Sequence, residues 1–78
     1  MTLEIISPQE VVFKGEAESV TMPGQLGKFT VLRNHAPLIS VLDAGTIVYR
    51  TPSGEEKTYE IKGGIADVDN NVISVCIY

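Results

Sequence analysis

Glycine, proline, asparagine and aspartate recur along this 78-residue chain every five to ten residues or so, and nowhere do they leave room for a long helix. Between these breakers the apolar residues come at period two, as strands require, rather than at the 3.6-residue period of a helix. Leu3-Glu4-Ile5-Ile6 is stopped by Ser7-Pro8, and Val11 to Lys14 is stopped by Gly15. Ala17 to Met22 alternates up to Pro23-Gly24, with Ala17, Ser19 and Thr21 expected on one face and Glu18, Val20 and Met22 on the other. Lys28 to Leu32 follows, with Phe29 and Val31 facing one way and Thr30 and Leu32 the other. After the break Arg33-Asn34-His35-Ala36-Pro37 come Leu38 to Leu42 and, past Asp43-Ala44-Gly45, Thr46 to Thr51.

Pro52-Ser53-Gly54 has hairpin chemistry, because proline presets φ and glycine accepts a positive one. Lys57 to Lys62 then pairs back, with Tyr59 and Ile61 sharing a face. Gly63-Gly64 opens Ile65 to Val68, and Asp69-Asn70-Asn71 is a second tight turn, since Asp and Asn tolerate the left-handed region. Val72 to Tyr78 closes the chain. Many short strands at this spacing specify an all-β domain, a small antiparallel β-sandwich or flattened barrel of about ten strands. The whole of residues 1–78 reads as one domain, with no repeat or linker.

So short a chain buries only about 60% of its unfolded surface, so its core is thin and a partner surface would add to its stability. The usual staples are missing. One cysteine, Cys76, precludes an internal disulfide and agrees with a reducing compartment. In the apolar run VISVCIY it reads as a packing residue. A single cysteine and a single histidine cannot supply the four ligands of a structural zinc site, so no metal is expected. The net charge is −4, and Lys14, Lys28, Arg33, Arg50, Lys57 and Lys62 are spread without a cluster, which disfavours nucleic-acid binding. The start MTLEII lacks the basic and apolar regions of a signal peptide, and no apolar run approaches the roughly 18 residues of a membrane span, so no direct membrane insertion is expected.

Catalytic constellations are equally absent from the pattern. Gly24-Gln25-Leu26-Gly27 is not followed by Lys-Ser or Lys-Thr at phosphate-loop spacing, and no helix follows it. Gly63-Gly64 lies between strands, where glycine marks a bulge or a close backbone approach. His35 is the sole candidate base, and Ser7, Ser40 and Cys76, the nearest things to nucleophiles, carry no local signature. Glu55-Glu56 falls beside the Gly54 turn and reads as solvated charge. The expectation is a chain with no catalytic residue and no cofactor. A stand-alone β-barrel binding module is the alternative class. It would display aromatics on a sheet face, whereas Phe13, Phe29, Tyr49, Tyr59 and Tyr78 are scattered and mostly fall among apolar core positions.

One ordered series of landmarks goes further. Ile6-Ser7-Pro8, Val12-Phe13 with Gly15-Glu16, Val20, Pro23-Gly24 and Gly27 lead into Asn34-His35-Ala36-Pro37-Leu38, Gly45, Ile61-Lys62-Gly63-Gly64, Val68 and Asn70-Asn71-Val72. Over the whole chain this resembles the N-terminal β-sandwich domain of the epsilon subunit of the F-type ATP synthase, called delta in mitochondria. The resemblance implies a non-catalytic subunit of the central stalk, part of a rotary motor that couples proton or sodium translocation to ATP synthesis. Its partners would be the gamma subunit and the polar loops of the membrane c-ring, with the F1 alpha and beta subunits involved indirectly. It would be peripheral, on the cytoplasmic face of the bacterial inner membrane.

Carried over by position, Gln25, Leu26, Gly27 and Lys28 match the loop expected to touch the c-ring. Ser7 and the segment His35, Ala36, Pro37 and Leu38 match the gamma-facing surface. Lys28 stands where the family often has an acidic residue, Thr30 where it often has glycine, and Arg33 where it often has proline. The sequence ends where the C-terminal helical hairpin of many members would begin, so neither that hairpin's inhibitory action nor its ATP site is expected of these residues.

Overall fold

The computed structural model describes residues 1–78 and contains strands, turns and bends but no helix. Nine strands follow in order: β1 (Thr2–Ile6), β2 (Val11–Glu16), β3 (Ser19–Gly24), β4 (Gly27–Leu32), β5 (Leu38–Leu42), β6 (Gly45–Arg50), β7 (Glu56–Ile61), β8 (Gly64–Asp69) and β9 (Val72–Ile77). Each begins within about two residues of the run that periodicity marks.

All nine belong to one sheet in the order β2-β1-β9-β8-β5-β3-β6-β7, with β4 beside β3. Pairing is antiparallel throughout except between β1 and β9. The sheet curls on itself at β5 and β6, which run along β3 one after the other. Gly24 pairs with Leu42 on β5, whereas Ser19 to Thr21 pair with Arg50 to Val48 on β6. Between them the Asp43 amide donates to the Pro23 carbonyl at 2.9 Å, so the chain bends without losing that backbone bond. Bends of this kind let one strand path pass from one packed layer to the other.

The concave side is the core. Leu3 and Ile5 of β1, Val20 and Met22 of β3, Val31, Leu42, Ile47, Ala66, Val68, Ile73 and Val75 are buried almost completely in one cluster. Phe13 of β2 reaches across the layers to Tyr49 of β6, with ring centroids 4.7 Å apart in a tilted arrangement. Burial raises the Tyr49 hydroxyl above its ordinary pKa of 10.0.

Three expectations meet corrections. Ala17 is buried while Glu18 is exposed, because both precede β3 and the alternation starts only at Ser19. Cys76 is exposed rather than packed: it points outward from β9 between inward-facing Val75 and Ile77. Tyr59 and Tyr78 are likewise exposed, so among the five aromatics only Tyr49 is buried, and Phe13 and Phe29 are partly buried against the core cluster.

Turn chemistry matches the sequence. Asn34, Asn70 and Asn71 are the non-glycine residues at positive φ, at 64°, 51° and 60°. Gly64 is a close approach, since a Cβ there would overlap the Cys76 carbonyl oxygen on the facing strand.

Candidate docking surfaces

The hairpin joining β3 and β4 is as short as a hairpin can be. Gly24 pairs with Gly27, leaving Gln25 and Leu26 as the connecting residues, and Gly27 takes a φ of 131° that a side chain rarely tolerates. Gly24 must also be bare, because a Cβ would lie 2.7 Å from the Gly27 carbonyl and 2.8 Å from the Phe29 ring. The consequence is a rigid tip that holds Leu26 fully in solvent. The tip lies against β5, with the Gln25 amide donating to the Val41 carbonyl at 2.9 Å. A shallow cleft between them is lined by Gly24 to Phe29 with Ser40 and Val41. Lys28, opposite Pro23, is exposed and makes no ion pair.

Ser7 opens the turn after β1. Its amide and the Glu10 carbonyl are 2.9 Å apart, and its hydroxyl accepts from the Glu10 amide at 3.2 Å. His35 lies in the β4–β5 loop, where its amide donates to the Leu32 carbonyl at 3.2 Å. Its ring Nδ1 is 2.7 Å from the Ala36 carbonyl, and since a carbonyl can only accept, that nitrogen is the donor. Arg33 to Pro37 are all exposed, and Leu38 packs its side chain against the core.

Ser7 and His35 do not meet. Ser7 follows Ile6, which is level with Val41 across β9 and β8, whereas His35 precedes the opposite end of β5. Strand spacing and rise put them on the order of 20 Å apart. Beside Ser7 on the convex face runs a row that sequence reasoning left unnamed. Val41, Ile65, Cys76, Ile6 and Val11 are successive cross-strand partners on β5, β8, β9, β1 and β2, and Ile39 lies two residues along from Val41. Ile39 is 74% exposed, Val11 55% and Ile65 50%. The signal was there in LISVL, apolar in both phases of the alternation, which is the mark of a strand covered on both faces.

The next two rows on this face are mostly polar on β2, β1, β9 and β8. Lys14, Glu4, Ser74 and Asp67 form one, and Glu16, Thr2, Val72 and Asp69 the next. Thr2 Oγ1 donates to Glu16 Oε2 at 2.8 Å, and this bond, helped by the amino group of Met1 3.6 Å away, holds the Glu16 carboxyl below its ordinary pKa of 4.5. Neither surface gathers a nucleophile with a base, and no group of three or more His, Cys, Asp or Glu side chains is placed to hold a metal ion.

The family model for the ATP synthase delta/epsilon chain β-sandwich domain matches residues 1–77. The chain belongs to this family. The ATP synthase epsilon chain of Stenotrophomonas maltophilia is 40% identical over 72 residues, covering 92% of this chain and 51% of that one. That of Chlorobaculum tepidum is 41% identical over 70 residues, covering 90% of this chain and 80% of the relative. The chain thus spans about half the length of most curated relatives it matches. Among solved structures, a chain in the Euglena gracilis mitochondrial ATP synthase, in its OSCP/F1/c-ring assembly, superposes with a TM-score of 0.90 at 25% identity, over 96% of this chain and 48% of that one. A chain of the Tetrahymena thermophila mitochondrial ATP synthase central stalk and c-ring shares the fold, with a TM-score of 0.82 at 12% identity. These matches bear out the all-β fold and the resemblance read from the P-G…G…N-H-A-P-L…G-G series.

Proposed function

We propose that this domain is a non-catalytic rotor element of a rotary ATP synthase, clamped to the gamma subunit by its convex face and to the c-ring by the β3–β4 tip, and that it couples ion translocation to ATP synthesis. The observation that carries the gamma assignment is the outward-facing apolar row Val41, Ile65, Cys76, Ile6 and Val11, which adjoins Ser7 and continues along β5 through Ile39 towards the His35–Leu38 segment. The charged residues Lys14, Glu4, Asp67, Glu16 and Asp69 lie along one side of it, so the apolar strip meets a polar margin of the kind that rims a protein interface. A stable contact of this kind buries on the order of 1,200 Å² or more in total, which a face five strands wide can supply.

For the ring, the favourable features of the tip are its stiffness and its reach. Gln25, Leu26, Gly27 and Lys28 are all exposed, and the turn conformation leaves little freedom to lose on contact. Against polar loops, Lys28 contributes charge selectivity and Leu26 an apolar anchor. A curled sheet closed over a close-packed core is suited to transmitting torque without deforming. Of the exposed rings, Tyr59 lies on β7 and Tyr78 follows β9, two strands that do not pair with each other, so no stacking platform is formed and a single-stranded nucleic-acid binder is disfavoured.

The test is association. Mixed with the gamma subunit in an F1 subcomplex lacking its own epsilon, the chain gives a one-to-one complex by size-exclusion chromatography with light scattering. No complex at micromolar concentration contradicts the reading.

A further inference from the structure

The β4–β5 loop is held to the rest of the molecule by one device. Arg33 to Pro37 are exposed, and their own backbone bond reaches back only to Leu32. The bonds that leave the loop both go to Asn71, 37 residues away in the β8–β9 turn. The Asn34 amide donates to Asn71 Oδ1 at 2.7 Å, and Asn71 Nδ2 donates to Asn34 Oδ1 at 2.9 Å. A backbone N–H can only donate, so the atom of Asn71 facing it must be oxygen. Its nitrogen then faces Asn34, whose facing atom must in turn be an acceptor. The Asn71 carbonyl meanwhile accepts from the Thr2 amide at 3.0 Å, which fixes the turn to the start of β1.

We infer that Asn34 and Asn71 form a clasp that sets the shape of the His35–Leu38 segment before it meets its partner, so that the β8–β9 turn is a positioning element for the gamma-facing surface; this rests on the reading of that segment given above. Both positions need two properties at once. Each is left-handed, at φ 64° and 60°, and each lends its side chain to the reciprocal pair. Glycine meets the first requirement and not the second. An ordered loop loses less freedom on binding, so its affinity is higher by the inverse of the fraction of time it would otherwise spend correctly placed.

The two asparagines are not equivalent, and that asymmetry supplies the test. At position 34 the side chain only accepts, so Asn34→Asp keeps both bonds. At position 71 the side chain accepts from one partner and donates to the other. Asn71→Asp therefore loses a bond and sets two acceptors against each other, while Asn71→Gly keeps the backbone conformation and loses both bonds. In the free chain, amide hydrogen exchange read by NMR is expected to speed up at Asn34 and His35 by about tenfold in Asn71→Asp and Asn71→Gly. Affinity for the gamma-containing F1 subcomplex, by calorimetry, is expected to fall roughly five- to tenfold in both, and to stay within about twofold in Asn34→Asp.

Unchanged exchange in both Asn71 variants overturns the clasp. Faster exchange with unchanged affinity overturns its role in binding. His35→Ala, measured alongside, separates this failure from that of the underlying reading: if it too is silent, the segment does not face gamma at all.

Discussion

β9 presents two faces of similar chemistry to different surroundings. Ile73, Val75 and Ile77 point into the curl and are buried, while Val72, Ser74 and Cys76 point outward from the same strand. On β5 the contrast is sharper, because Leu42 is buried while Ile39 and Val41 stay in water. In a monomeric antiparallel sheet the outer face is expected to be polar. The concave face therefore accounts for why the chain folds, and the convex face is the one proposed to bind a partner.

The largest effect should come from the inner face. Ile73→Ala leaves a cavity in a close-packed layer and is expected to cost about 3 kcal/mol, lowering the Tm by some 12–24 °C in a domain this small, as read by calorimetry. The outer face should respond in the opposite sense. Ile65→Glu is expected to keep stability within about 1 kcal/mol while weakening the gamma-containing complex by a factor of ten or more. A large loss of Tm in Ile65→Glu would break the comparison, because the two faces would then do the same job.

The β3–β4 tip should be more separable still. Lys28→Glu is expected to shift Tm by less than about 0.5 kcal/mol equivalent, yet reduce ATP-driven ion pumping in membranes reconstituted with the intact complex. Unchanged pumping contradicts the ring contact. The smallest effect concerns Glu16, at the polar margin of the convex face. Its carboxyl is held below 4.5 by Thr2, so the folded state releases this proton more readily than the unfolded chain. The stability it contributes is present above that value and is lost as the pH falls through the lowered pKa. Thr2→Val should therefore flatten the decline of Tm over roughly pH 5 to 3 by slightly lowering the neutral value while leaving the acid value little changed.

Much of this was legible in the chain before any coordinates. The breakers marked every strand, because proline, left-handed asparagine and glycine act locally, and Asn34, Asn70, Asn71, Gly27 and Gly54 take the positive φ that their chemistry permits. Cys76 was misread because an apolar run such as VISVCIY fits either phase, and only the pairing of β9 with β8 and β1 decides which side chains turn inward. The family series named the residues of two surfaces but could not relate them. That Ser7 adjoins the apolar row while His35 lies beyond the far end of β5 depends on the sheet order, and that Asn34 meets Asn71 depends on a contact 37 residues apart. Neither is a property of local sequence.

The measurement that bears most directly on the two-face account is binding by Ile39→Glu/Ile65→Glu to the gamma-containing F1 subcomplex, with Tm recorded on the same samples. The account predicts a native-like Tm and loss of the one-to-one complex that the unsubstituted chain forms. Retention of that complex at unchanged affinity would contradict it.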